Sequence, residues 1–371
     1  MTHAEPAVET SPGRRWPRRT VAGSIALVVA LAGLLGMTFL PTDYVLEQPG
    51  PVYNTIGSVE NAEGEEVPLI EAADAETYET SGSLSLTTVQ VVGNREHPLS
   101  WIELATAWFE RSKAIVPIDT VFPEGVTSEE REEQNAVMMT DSQSEASAAA
   151  LIELGYEVPA DIRVVSLTDG SPSEGAVREG DRILAADGQD LADVAQLREI
   201  VGAAGGDPVE LEIDRDGETV TERVSPEQQE IDGEESWALG ISLSTSYDLP
   251  VDVTIQLDDV GGPSAGTMFA LGIIDTLTPG ELTGGEDIAG TGTITADGQV
   301  GAIGGIRQKL YGARDAGSDF FLAPASNCNE VVGHVPDGLQ VVSVETLSDA
   351  LAAVEAIAAG EASGLPSCAS S

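Results

Sequence analysis

A serine in Gly261-Gly-Pro-Ser264-Ala-Gly266 and a lysine 45 residues later, in Gly301-Ala-Ile-Gly-Gly-Ile-Arg-Gln-Lys309, are the residues of this chain best suited to covalent chemistry. Met268, Phe269, Leu271, Ile274 and Leu277 follow the serine with helical spacing. Ser264 is therefore expected at the first turn of a helix, facing free backbone N–H groups and the positive end of the dipole. Amides around Gly262 and Ala265 would then serve as an oxyanion hole. Lys309 also opens a helical pattern, and it is one of two lysines, with Lys113, beside fifteen arginines. Arginine keeps its proton at any useful pH, whereas a desolvated lysine can act as a base. A serine hydroxyl needs such a base before it is a useful nucleophile. Burial beside Ile303, Ile306 and Leu310 would lower the lysine pKa from about 10.4 towards ~7–8. An acyl-enzyme on Ser264 would then be hydrolysed by water activated by the same amine. The enzymatic rival is a Ser-His-Asp triad through His334 or His97, although nothing local marks either histidine as a base.

The elements that must position these residues belong to a chain of 371 residues, long enough for two or three domains. A net charge of −46 disfavours nucleic acid and anionic membrane faces as partners and otherwise reads as a heavily solvated surface. No G-x-x-x-x-G-K-[ST] phosphate loop occurs, so the glycines of residues 298–305 are not read as one, and no cofactor is expected. With three histidines and no C-x-x-C pair, no metal site is expected either.

Arg14, Arg15, Arg18 and Arg19 precede an uncharged apolar run over residues 20–40. Its length suits a membrane span, and the arginines would stay on the cytoplasmic side. The rivals are a cleaved signal peptide, which normally has a shorter apolar core, and a twin-arginine export signal. Residues 1–19 read as a cytoplasmic tail and 20–40 as a single-pass anchor in the cell membrane, with the rest extracytoplasmic. In that oxidising setting Cys328 and Cys368 could pair, stapling the C-terminal tail; two free thiols are the alternative.

The exported part divides into a β-containing segment over 45–122, a module over 146–224, and a third part over 237–359, with a flexible tail at 360–371. An acidic stretch, 123–134, and a polar connector, 225–235, separate them. Leu84-Ser-Leu-Thr-Thr-Val-Gln-Val91 shows strand-like alternation, and Trp101, Trp108 and Phe109 follow it. In the second module, Gly175-Ala-Val-Arg-Glu-Gly-Asp-Arg-Ile-Leu-Ala-Ala-Asp-Gly188, an amphipathic helix over 194–204 and a hairpin about Asp216-Gly217 resemble a bacterial PDZ domain. The resemblance implies peptide binding by strand addition, with Leu154, Gly155 and Tyr156 at the carboxylate-binding loop. A vestigial or self-filled groove is the alternative.

The Pro-Ser-Ala-Gly and Gly-Gly-Ile-x-x-Lys pairing, with the run Asp287-Ile-Ala-Gly-Thr291 onward, resembles the proteolytic domain of Lon-type serine proteases. The whole order of anchor, PDZ module and Lon-like domain resembles the membrane-anchored, PDZ-containing Lon-like proteases of Gram-positive, actinobacterial-type bacteria. That resemblance implies an α+β fold in which the N-terminal β segment packs with the Lon-like domain. It implies Ser264 as nucleophile, Lys309 as base, Thr291 as the hydroxyl supporting the amine, and a homo-oligomer, such as a ring or hexamer. Many Lon enzymes carry an acid three residues before the serine; this chain has Gly261 there, with Asp258 and Asp259 further ahead. The function expected is an ATP-independent endopeptidase acting on unfolded or membrane-associated proteins. The alternatives are a catalytically silent PDZ scaffold and a protease dedicated to itself or one partner.

Overall fold

The computed structural model describes residues 18–368, apart from 62, 63, 124, 126, 192, 232, 233, 258 and 259. It is an α+β protein that divides into two units, one formed by residues up to 46 together with 91–124, the other by 47–90 with 125 onward.

In the first unit, Arg18–Phe39 is a 22-residue helix, about 33 Å long at 1.5 Å per residue. Its apolar window Ala22–Phe39 is long and apolar enough to cross a bilayer or to serve as a signal sequence, and none of its described residues is buried. Past its end, Pro41 bridges to Ser100, and the Thr42 N–H and hydroxyl both donate to the Leu99 carbonyl. Ser100 opens the short helix Trp101–Ala107 with a capping box: Ser100 and Glu103 satisfy each other's backbone N–H. Leu46, Leu99, Leu104 and Ala107 form the small core beneath.

In the second unit, four neighbouring strands of a sheet run in the order Gln340–Val344, Phe320–Pro324, Asp287–Gly290, Ser83–Val92. Its central pairings are parallel, with Ser83 opposite Asp287 and Leu86 opposite Gly290. Parallel strands are covered on both faces, so the polar members of the Leu/Ser/Thr alternation are buried too. Ser85 and Thr87 are as buried as Leu84 and Leu86, and the Thr87 hydroxyl is satisfied by the Gly290 carbonyl at 3.1 Å. Three helices, Ser128–Glu153, Gly266–Leu277 and Leu347–Ala358, share one core through Ala146, Ala150, Met268, Phe269, Leu271 and Val354.

The helix Ser128–Glu153 starts inside the acidic stretch, far ahead of residue 146, where the sequence reading opens the second module. Thr127 and Glu130 form its capping box, and its first half is largely exposed, so no apolar stripe betrays it. Its last half is lined by small buried residues that lie against the helix Gly266–Leu277.

A second sheet is antiparallel, in the order Glu218–Val224, Val209–Arg215, Arg182–Ala186, Ala160–Leu167, Ile241–Tyr247, around a core of Ile162, Ile183, Leu197, Val201, Leu211 and Ile213. Asp216 and Gly217 both take positive φ, the geometry of a two-residue hairpin turn. The strand Ile241–Tyr247, which the sequence reading gives to the third part, pairs with Ala160–Leu167 in this sheet. The connector folds as a hairpin, Glu227–Ile231 with Glu234–Ala238.

The tail beyond residue 360 is docked as far as Cys368. Cys328 and Cys368 are disulfide-bonded, the Ser343 N–H donates to the Pro366 carbonyl, and Gln340 Nε2 donates to the Ala362 carbonyl. Residues 1–17, with Arg14 and Arg15, and residues 369–371 lie outside the described part.

Candidate active site

Ser264 stands two residues ahead of the helix Gly266–Leu277, with Ala265 as the residue before it in a right-handed conformation. It is thus just outside the first turn rather than in it, because Gly262, at φ 87°, and Pro263 bend the chain before the helix begins. The loop is pinned from two sides. On one side, the Gly262 N–H donates to the Asn135 carbonyl at 2.9 Å and Ser142 Oγ donates to the Pro263 carbonyl at 3.0 Å, both on the helix Ser128–Glu153. On the other, the Ser264 carbonyl accepts from the Gly292 N–H and from Thr291 Oγ1, each at 2.9 Å. The Gly262 amide is therefore spent on Asn135, which corrects its place in the expected oxyanion hole. Ala265 stands at the helix start, where the N–H groups lack intrahelical acceptors.

Lys309 lies in the helix Ile306–Asp315. Gly305, at φ 69°, begins that helix against the strand Ser83–Val92, and a Cβ there would fall 2.6 Å from Val89 Cγ2. The lysine is consequently delivered into the protein, 2 % exposed, beneath the cluster of Ile303, Ile306 and Leu310. Burial penalises its charged form and lowers its pKa to about 7.

Three oxygens surround Nζ: Ser264 Oγ at 2.8 Å, the Thr87 carbonyl at 2.9 Å and Thr291 Oγ1 at 2.9 Å. The carbonyl can only accept, and the Thr291 hydroxyl has already given its proton to the Ser264 carbonyl. A neutral amine has two N–H donors and one lone pair. With both donors directed at Thr87 and Thr291, the lone pair is left facing the Ser264 hydroxyl.

Thr87 is the group that sequence reasoning missed. It contributes a backbone carbonyl, which leaves no side-chain signal, although its strand is marked by the alternating pattern. His334 makes a local contact, its Nδ1 lying 3.1 Å from the Val332 carbonyl, and His97 is exposed in the other unit. Asp258 and Asp259 lie outside the described residues. Beside the serine loop, a cavity of about 520 Å³ is lined by Asn135, Met139, Gln143, Ile255, Leu257, Val260 and Gly261.

The expected carboxylate-binding loop is something else. Leu154 ends the helix Ser128–Glu153, the Gly155 N–H donates to the Ile152 carbonyl, and the Tyr156 N–H to Leu151. With Gly155 at φ 85°, this is a Schellman closure, so those amides are occupied by the helix's own carbonyls. The groove of this module lies instead between the helix Val194–Ala204 and the strand Ile241–Tyr247. It is a cavity of about 970 Å³ lined by Val194, Leu197, Val201, Trp237, Ile241 and Leu243.

Comparison with known families and proteins adds to this geometry. Residues 251–356 match the Lon protease (S16) C-terminal proteolytic domain, and residues 126–225 match a PDZ domain. Lon protease 2 of Herpetosiphon aurantiacus is 38 % identical over 108 residues, covering 27 % of this chain and 13 % of that protein. Archaeal Lon protease of Methanothermobacter thermautotrophicus is 33 % identical over 109 residues, 29 % of this chain and 17 % of that protein. The match thus spans less than a fifth of either relative. The crystal structure of the PDZ domain of an SdrC-like protein from Listeria innocua is 20 % identical, covering 22 % of this chain and 92 % of that one, with a TM-score of 0.21. One chain therefore joins a Lon-type serine-peptidase domain, bearing Ser264 and Lys309, to a PDZ domain.

Proposed function

We propose that this protein is an ATP-independent, membrane-anchored serine endopeptidase whose nucleophile is Ser264 and whose general base is Lys309. The observation that carries the reading is the 2.8 Å contact between Lys309 Nζ and Ser264 Oγ, made by a buried amine whose other two neighbours are acceptors. Near neutral pH the amine is substantially neutral and takes the Ser264 proton as Oγ attacks a peptide carbonyl. The N–H groups of Ala265 and of Ser264 itself face the developing oxyanion, each donor contributing about 3–4 kcal/mol to barrier lowering. The lysine then passes its proton to the leaving amine, and water activated by the same lysine frees the acyl group.

Substrate is a polypeptide segment, held as an added strand in the groove along Ile241–Tyr247. The helix Arg18–Phe39 anchors the chain, with the arginine-rich side cytoplasmic and the peptidase outside. In this reading the domains are the N-terminal β segment over 45–122, a PDZ module that starts at 146 and takes in the strand Ile241–Tyr247, and the Lon-type domain after it. Assembly into a ring is part of this reading by analogy with Lon domains.

A phosphonofluoridate probe tests the dyad. Peptide mapping is expected to find the adduct on Ser264, forming faster as pH rises through about 7 and lost in Lys309→Ala. Equal labelling of Lys309→Ala would overturn the assignment of the base.

A further inference from the structure

Three large aromatic side chains of the first unit stand in solvent: Trp108 is 78 % exposed, Phe109 87 % and Trp101 45 %. Such aromatics normally supply core contacts, and here they lie on one short stretch. At 100° per residue, Trp101, Ala105 and Trp108 fall within about 60° on one face of the turn Trp101–Ala107 and its cap. Leu104 and Ala107 point into the small core, while Glu103 and Thr106 occupy a third, polar face. The exposed apolar face is thus distinct from the one that holds the helix to its unit.

Its position is set by the chain. The Pro41–Ser100 bridge places Trp101 beside the end of the apolar helix Arg18–Phe39, and the two helices run close together. Phe39 and Leu40, at that end of the helix, are exposed as well. The helix is about as long as a bilayer's hydrocarbon core, so its C-terminal end falls at the membrane–water boundary. Tryptophan concentrates at that boundary, its ring in the apolar layer and its N–H in the wet one.

We propose that Trp101, Trp108 and Phe109 form a second membrane contact, an aromatic foot seated in the lipid interface beside the apolar helix. It rests on the reading of that helix as an anchor. The foot holds the first unit against the surface, so that the chain is attached at a helix and a patch rather than at a helix alone.

Full-length protein reconstituted in phosphatidylcholine vesicles provides the test. Tryptophan emission would be compared between wild type and Trp101→Ser/Trp108→Ser, using lipids brominated near the headgroup or deep in the chain, and aqueous iodide. The difference between the two proteins is expected to be a blue-shifted component, quenched severalfold more by shallow bromines than by deep ones and shielded from iodide. A difference component quenched by iodide and untouched by bromine, in protein that floats with the vesicles, would overturn the foot and leave the anchor standing. A component shielded from both quenchers would overturn it in favour of contact with protein. Protein that does not float would overturn the anchor and the foot together.

Discussion

Thr291 Oγ1 lies 2.9 Å from Lys309 Nζ while donating its own proton to the Ser264 carbonyl, 2.9 Å away. The threonine thereby links Lys309 to the backbone of Ser264 and supplies an acceptor for one of the amine's donors. Thr291→Val keeps the shape and removes that acceptor. It is expected to lower kcat about 10–100-fold, with KM little changed, since a small misplacement of reacting groups costs that much. Steady-state cleavage of a peptide would measure it.

The lowered lysine pKa has a sign that can be checked. Activity should rise with pH through about 7 as Lys309 loses its proton. Stability should follow the same group: the folded pKa is below the unfolded one, so the unfolded chain binds more protons between about 7 and about 10.5. The wild type should therefore gain stability over that window relative to Lys309→Met, measured by denaturant titration at successive pH values.

Glu145 carries the opposite slope. It lies with Asp141, Ser142, Pro263 and Thr293 around a cavity of about 220 Å³, and its carboxyl is pushed up to about 7 by burial, then by Asp193, Asp141 and Asp297, with Arg198 opposing. A raised carboxyl pKa favours the protonated form in the fold, so stability falls as pH rises from about 4.5 to about 7. Glu145→Gln should flatten that fall and give a higher Tm at pH 8. An unchanged slope would show that the site is already solvated.

Much of the candidate site was legible in sequence because Ser264 and Lys309 sit in short motifs with strong local geometry. Proline and glycines bend the chain before Ser264, and Gly305 lets the lysine helix start against Val89. What sequence hid were groups acting through backbone. The Thr87 carbonyl has no identity to read, and the Gly262 amide is claimed by Asn135 from a helix whose exposed half has no apolar period. The capping pair Thr127 and Glu130 was the one available sign of that helix. The loop 154–156 misled because a glycine after an apolar residue suits both a ligand loop and a helix end.

That last distinction has a measurable consequence. Gly155→Ala forces a side chain into φ 85°, where space is open, so the cost is backbone strain of about 1–2 kcal/mol. Binding of a PDZ peptide ligand should survive it, whereas Leu243→Asp, on the half-buried strand lining the groove, should weaken binding at least tenfold. Isothermal titration with both variants would separate the two sites.

The disulfide closes a separation of 40 residues. Chain-entropy reasoning assigns such a loop about 3–4 kcal/mol. Cys328→Ser/Cys368→Ser should lose that much in denaturant unfolding while retaining the pH midpoint of activity.

The most direct test is degradation of an unstructured protein by the full-length chain in nanodiscs, without ATP, beside Ser264→Ala and Lys309→Ala. Cleavage by wild type and a loss on the order of 10³-fold or more in both variants is the predicted result. Cleavage persisting in Lys309→Ala at the wild-type rate would contradict the Ser264–Lys309 dyad.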